Sequence, residues 1–132
     1  MNGYSHKKEN SPQGFESIEG IKVIEQKENS VGIEFSIPET SPYFDGHFPE
    51  FSLLPAVAQT ELVIRFASEN LGTGIDVAEM KRVKFTKFIR PNETLLMRLE
   101  KSGESVSFKI ISPDEKSTYS FGTISFGLES EK

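Results

Sequence analysis

The stretch PAVAQTELVIRFASENLG, residues 55–72, decides the fold, because it is the long segment of the chain with helical character. Pro55 suits the first turn of a helix, where its missing N–H has no partner to lose. Gly72 suits the position just past a helix end. Between these two signals the apolar residues fall on nearly every face, and a helix that is apolar all round is a buried helix. We therefore expect a buried central helix from about Pro55 to Glu69.

Segments in which apolar and polar residues alternate flank this helix, as half-buried strands do. Two precede it and four follow it, with turn residues between them: residues 21–23, 31–37, 77–88, 94–100, 106–111 and 118–126. One helix wrapped by one antiparallel sheet is the economical architecture, of the α+β class. A single curled sheet keeps open edges and an open flank, so we expect a dimer.

The chain of 132 residues is long enough for one compact domain. Residues 1–16 are mostly polar and have no apolar period, so we expect a disordered tail there and a single domain over residues 17–132. No apolar run reaches the roughly 18 residues needed to span a bilayer, and we expect no signal peptide in the polar segment at the start of the sequence. A cytoplasmic location is the default expectation.

The charge and the residue types present exclude several classes of function. A formal net charge of −5 argues against a dedicated nucleic-acid-binding module. The chain has no cysteine and two histidines, which excludes disulfides, thiolate nucleophiles and cysteine-based zinc sites. We expect neither a metal nor a cofactor.

His47, in the loop before the helix, and Glu61, on the helix, are the residues best suited to acid–base chemistry. Histidine accepts a proton near neutrality, and a carboxylate among apolar neighbours is costly to keep ionised. A base and an acid that face one apolar pocket are what β-elimination of water needs. The residues alone leave a structural alternative open, since loop histidines are often structural and Glu61 could bond Arg65 one turn further on.

The residues Gly46-His47-Phe48-Pro49, then Leu54-Pro55-Ala56-Val57, then Glu61 resemble the signature of the 3-hydroxyacyl-[acyl-carrier-protein] dehydratases. That family reads G-H-F-P, then P-G-V, then a helical acid fourteen positions after the histidine, which is the spacing from His47 to Glu61. Residues 84–93 loosely resemble the family segment K-F-x-R-P-V-x-P-G-D. The resemblance implies the hotdog fold, in which a six-stranded antiparallel sheet wraps a central helix, from about Ile18 onward.

The resemblance also implies the roles of individual residues. His47 would be the base that takes the C2 proton of a 3-hydroxyacyl thioester, and Glu61 the acid at the leaving hydroxyl. These two residues would come from different subunits of a homodimer. The implied substrate-binding residues are Ala56, whose N–H would bind the thioester carbonyl, Leu53, whose carbonyl would orient the histidine, Gly46 and Phe48.

Two residues depart from the family pattern. Ala56 replaces the glycine of P-G-V, which keeps the N–H but adds a methyl group beside the thioester path. Arg65 stands where many members have glutamine, one turn beyond Glu61. A cation there would favour the ionised form of Glu61, or would point at a substrate carboxylate or the partner chain. Both departures indicate a divergent member with an unusual acyl substrate or altered activity.

The segment KRVKFTKFIR, residues 81–90, has five basic residues and no acid inside an acidic protein. Acyl carrier proteins are acidic, so this segment predicts a docking surface for one, and the alternative is a strand with one solvated face. The leading hypothesis is a dehydratase that converts carrier-bound 3-hydroxyacyl thioesters into trans-2-enoyl thioesters. The alternatives are a hotdog thioesterase and a non-catalytic acyl-binding or assembly subunit. The assembly would be a homodimer or a trimer of dimers.

Overall fold

The structure, a computed structural model, describes residues 14–44 and 53–127. Its regular elements are strands β1 (Glu19–Gln26) and β2 (Ser30–Ser36), a 3-10 turn (Pro42–Phe44), helix α1 (Ala56–Leu71), and strands β3 (Val77–Phe85), β4 (Thr94–Ser102), β5 (Ser105–Ile111) and β6 (Thr118–Phe126). The strands form one sheet in the order β1-β2-β4-β5-β6-β3, and every neighbouring pair is antiparallel. The predicted six-stranded antiparallel sheet with one long helix is confirmed.

Helix α1 has the predicted start and stop signals at its two ends. Pro55 lies just before it in an extended conformation with φ −69°, and Gly72 follows it with φ 71°. The chain leaves the helix axis at this residue through a left-handed backbone conformation, which glycine adopts without strain. The helix ends at Leu71, two residues beyond the predicted Glu69. In the part of the chain that the structure describes, no helix is long and apolar enough to cross a membrane.

The hydrophobic core lies between α1 and the concave face of the sheet. Its largest fully buried side chains come from the helix, from the four inner strands, and from the segments after β2 and β3: Phe35, Phe66, Ile33, Ile37, Leu62, Ile89, Leu95, Met97, Leu99, Ile110 and Ile124. The burial of α1 is one-sided, however. Val57 is 75% exposed, and Glu61 and Ile64 are half-buried on the same side. The apolar residues on that side of α1 are therefore available to pack against another surface.

The two edge strands, β1 and β3, are exposed along almost their whole length. Large apolar side chains lie open on both, including Ile21 and Ile24 on β1 and Met80 and Phe85 on β3. Strand β3 also contains an irregularity at Arg82, which has φ 55° and interrupts the register with β6. The predicted open edges are therefore present in the described chain.

The N-terminal segment that the structure describes packs against the helix. The Phe15 ring meets the Phe66 ring edge-on, with 5.1 Å between centroids. The sequence assigned Phe15 to the tail, whereas the structure packs its ring against the helix. The rest of the predicted tail, residues 1–13, lies outside the described residues.

Candidate active site

The predicted site residues divide between described and undescribed parts of the chain. His47, Gly46 and Phe48 lie outside the described residues, so their roles stay predictions. Glu61 and Ala56 lie on α1, and Leu53 lies just before it. The described part of the predicted site therefore lies on α1 and directly before it.

Glu61 lies half-buried in the middle of α1, where the Tyr43 hydroxyl donates a hydrogen bond to its Oε2 atom at 3.3 Å. The Tyr43 side chain comes from the 3-10 turn, whose backbone is fixed by a hydrogen bond from the Tyr43 N–H to Ser41 Oγ at 3.1 Å. Ser41 Oγ in turn bonds Ser17 Oγ at 2.6 Å. Tyr43 therefore connects the Glu61 carboxyl group to Ser41, a buried residue outside the helix.

Burial raises the pKa of the Tyr43 hydroxyl well above its usual range, and the nearby Glu61 raises it further. Both effects disfavour the phenolate, because an anion loses hydration on burial and is repelled by a second anion. Tyr43 therefore remains a hydrogen-bond donor at all physiological pH values. The sequence reasoning missed this residue, although it lies only four positions before His47.

Arg65, one turn beyond Glu61, is held by an aromatic ring. Its Cζ atom lies 4.5 Å from the centroid of the Phe15 ring, in a cation–π contact. Phe15 itself packs on Phe66, so the guanidinium group is anchored to the core through two rings. The arginine that departs from the family pattern is thus part of the packing between the N-terminal segment and α1.

A cavity of about 620 Å³ opens at the N-terminus of α1. It lies between the start of the helix and the chain that follows β3, and its walls are mostly apolar: Leu53, Leu54, Pro55, Ala56, Gln59, Phe85, Thr86, Lys87 and Phe88. Two of the predicted substrate-binding residues, Leu53 and Ala56, therefore line one cavity. Glu61 is not among the lining residues.

The start of α1 gives this cavity hydrogen-bond donors. The first intrahelical bond runs from the Gln59 N–H to the Pro55 carbonyl at 3.1 Å. The N–H groups before Gln59, including that of Ala56, consequently have no acceptor within the helix. They carry the positive end of the helix dipole, which favours a carbonyl oxygen that gains negative charge during a reaction.

Gln59 is the polar side chain buried in this wall, with 3% of its surface exposed. Its Nε2 atom donates to the Leu54 carbonyl at 3.3 Å. Its Oε1 atom is buried and has no hydrogen-bond partner among the described residues. The sequence reasoning missed Gln59, whose only signal was its place one turn after the helix start.

A second cavity, of about 400 Å³, lies by Arg98 on the β1-β2-β4-β5 part of the sheet. Arg98 there pairs with Glu25 at 3.0 Å and with Glu115 at 2.9 Å. These hydrogen bonds raise the pKa of Arg98, with Glu115 contributing most. Because no predicted site residue lines this second cavity, we place the candidate site in the larger one.

The family model and the relatives that match this chain by sequence are dehydratases. A family model described as ApeI-like, ApeI dehydratase, matches residues 23–123. The 3-hydroxyacyl-[acyl-carrier-protein] dehydratase FabZ of Streptococcus agalactiae is 28% identical over 117 residues, which cover 81% of this chain and 84% of that protein.

Two solved structures extend the comparison. The dehydratase heterocomplex ApeI:P from Xenorhabdus doucetiae superimposes with a TM-score of 0.68 at 28% identity, covering 80% of this chain and 96% of the other. A hypothetical thioesterase with coenzyme A from Streptococcus pneumoniae has a TM-score of 0.59 at 9% identity, covering 92% and 97% of the two chains. That second likeness reflects the fold alone.

Proposed function

The chain belongs to the ApeI-like dehydratase family and has the hotdog fold, and from this premise we propose that it removes water from 3-hydroxyacyl thioesters carried on an acyl carrier protein. The products would be trans-2-enoyl thioesters. The observation that carries the proposal is the apolar cavity at the N-terminus of α1, which brings Leu53 and Ala56 together at a helix start. Such a site suits an acyl thioester, which is apolar apart from its carbonyl group and the 3-hydroxyl.

The reaction needs three groups. The Ala56 N–H binds the thioester carbonyl and stabilises the negative charge that develops on its oxygen. His47 removes a proton from C2, the C–H electrons form the C2–C3 double bond, and the C3–O bond breaks. Glu61 donates a proton to the departing hydroxyl, which leaves as water. The proposal assigns these roles on the sequence match, and the position of Ala56 in the cavity wall supports it.

The geometry of α1 supports a site shared between two chains. Gln59 lines the cavity, whereas Glu61 lies two residues further along, about 200° around the helix, and does not line it. The side of α1 that carries Glu61 also carries the exposed Val57, an apolar residue that a second copy would cover. We propose a homodimer in which Glu61 of one chain serves the cavity of the other.

The basic segment adjoins the cavity, which supports docking of an acidic carrier. Lys87 is exposed and lines the cavity, and Lys84 is exposed near the end of β3. Opposite charges on the two proteins would steer their encounter and hold the thioester arm at the cavity mouth. Ala56 is exposed in the same wall. Compared with the glycine of the family pattern, its methyl group would narrow the entry for the thioester arm.

The test is incubation of the purified protein with a 3-hydroxyacyl thioester and, separately, with the matching enoyl thioester. We expect reversible interconversion of the two, detected by loss or gain of one water. Release of free thiol from either compound would indicate a thioesterase instead, and binding without turnover would indicate an acyl-binding or assembly subunit. Either result would overturn the proposed function.

A further inference from the structure

Gln59, a residue that lines the cavity, carries a buried hydrogen-bond acceptor without a partner among the described residues. The side chain is 3% exposed, its Nε2 atom is committed to the Leu54 carbonyl, and its Oε1 atom has no partner within residues 14–44 and 53–127. Leaving a buried amide oxygen unpaired is costly because the oxygen has lost its hydration, and most buried polar atoms are therefore bonded. A donor that reached Oε1 from the cavity would remove this cost.

A donor lies one turn away on the same side of the helix. Ala56 and Gln59 are three residues apart, which makes them neighbours on the helix surface, and both line the cavity. The Ala56 N–H has no acceptor within the helix. The remaining wall is largely apolar, with Leu53, Phe85 and Phe88 around these groups. A ligand that fits therefore carries an acceptor and, about one helical turn further on, a donor.

We propose that Gln59 Oε1 accepts a hydrogen bond from the first amide N–H of the arm that carries the thioester, the amide of its cysteamine unit. The inference rests on the proposed function, in which the Ala56 N–H binds the thioester carbonyl. The amide nitrogen is four bonds from the carbonyl carbon, through the sulfur and two methylene groups. The length spanned by these four bonds is comparable to the rise of one helical turn, about 5.4 Å.

The other parts of the substrate fit this acceptor less well. The acyl chain beyond C3 is hydrocarbon and has no donor to offer. The 3-hydroxyl is a donor, but it leaves as water in the reaction. Oε1 would then have no hydrogen-bond partner in the product complex. The amide N–H persists from substrate to product. Gln59 is therefore a specificity residue that selects thioesters of cysteamine amides, the chemistry that carrier-protein and coenzyme A thioesters share.

The test uses two thioesters of the same 3-hydroxyacyl group. One is formed with N-acetylcysteamine, and the other with 2-acetoxyethanethiol, in which an ester oxygen replaces the amide N–H. We expect the parent protein to dehydrate the amide compound with a kcat/KM at least about tenfold higher, because the ester leaves Oε1 unpaired. Equal kcat/KM values for the two compounds in the parent protein would overturn the inference without any variant.

Gln59→Met supplies the second measurement, because methionine has a similar volume but no acceptor of comparable strength. We expect the ratio of the two kcat/KM values to fall close to one in this variant. The matched control is Gln26→Met, at an exposed glutamine in β1, which should keep the parental ratio. A parental ratio in Gln59→Met would overturn the inference, because the preference for the amide would then not come from Gln59.

The natural source of the amide is distinguished by parallel assays. Carrier-protein and coenzyme A thioesters of one acyl group are compared in the parent and in Gln59→Met. The thioester whose kcat/KM is lower in Gln59→Met than in the parent is the one whose amide Gln59 binds. If kcat/KM falls for neither thioester, the inference is overturned. Dehydration without preference for the amide contradicts the inference alone, whereas no dehydration of any thioester overturns the proposed function and the inference with it.

Discussion

The Tyr43 hydroxyl donates a hydrogen bond to Glu61 Oε2 at 3.3 Å, which links the turn before the cavity to the middle of the helix. The tyrosine is held in place by Ser41, which is buried and bonded to Ser17. A carboxyl group on a half-exposed helix face has several rotamers of similar energy. The Tyr43 contact favours one of them, which is what a proton donor to a leaving group requires.

Replacement of Tyr43 by phenylalanine should therefore lower the dehydration rate more than it lowers stability. We expect kcat to fall roughly tenfold with KM close to its parental value and only a small fall in melting temperature, because the Glu61 carboxyl group loses the hydrogen bond that orients it. The measurement is steady-state kinetics beside thermal unfolding. Tyr119→Phe is the matched control, because Tyr119 is half-buried on β6 and its hydroxyl bonds Glu93. A parental kcat in Tyr43→Phe would exclude a positioning role.

The raised pKa of Tyr43 also predicts how stability depends on alkaline pH. In the unfolded chain a tyrosine loses its proton near pH 10, whereas folded Tyr43 keeps its proton to higher pH. The unfolded state then binds fewer protons, so the free energy of unfolding falls as the pH rises above about 10. Below that pH the contribution of Tyr43 is fully present.

Tyr43→Phe should consequently show a shallower loss of stability than the parent in that alkaline range. The measurement is denaturant unfolding at a series of pH values from neutral to alkaline. Tyr119, whose pKa burial and Glu93 also raise, accounts for a further part of the slope, and Tyr119→Phe measures it separately. Identical slopes in Tyr43→Phe and the parent would contradict the assignment of the raised pKa to Tyr43.

Reversal of the charges at Lys84 and Lys87 tests the carrier surface. Lys84→Glu with Lys87→Glu should weaken the use of a carrier-protein thioester more than that of a small thioester, and the difference should grow at low salt. The control is the same charge change on other strands, Lys22→Glu with Lys109→Glu, at exposed positions away from the cavity. Equal losses with both substrates would remove the docking proposal.

The fold could be predicted closely from the sequence because its signals are local. Pro55 and Gly72 mark the helix ends, and alternating apolar residues mark the strands. The strand predicted over residues 77–88 is shorter, ending at Phe85, and it bends at Arg82. Nothing in the pattern of alternation indicates a residue with positive φ at that point.

The site was predictable only in part, since its remaining contacts join residues that are distant in the sequence. The stacking of Arg65 on Phe15 depends on where the N-terminal segment crosses the helix. The burial of Gln59 depends on the chain after β3, which forms the other wall of the cavity. Periodicity indicates that a side chain faces inward, but not which groups it meets there.

Mixed dimers test the shared site. If His47 of one chain works with Glu61 of the other, co-expressed His47→Ala and Glu61→Ala chains form dimers in which one site has both changes and the other has neither. With random pairing about half of the dimers are mixed and half of their sites intact, so roughly a quarter of parental activity should return. If both residues acted from one chain, every site would lack one of them and no activity would return.

The most direct test of the central claim, dehydration by His47 and Glu61, is the rate of enoyl thioester formation by the parent, His47→Ala and Glu61→Gln. The Glu61→Gln change keeps the shape of the side chain and an oxygen for the Tyr43 hydroxyl, but it removes the proton that Glu61 donates. We expect the parent to release water, His47→Ala to be inactive, and Glu61→Gln to be slower by about 10²-fold or more, all with similar melting temperatures. Parental rates in either variant would contradict the claim.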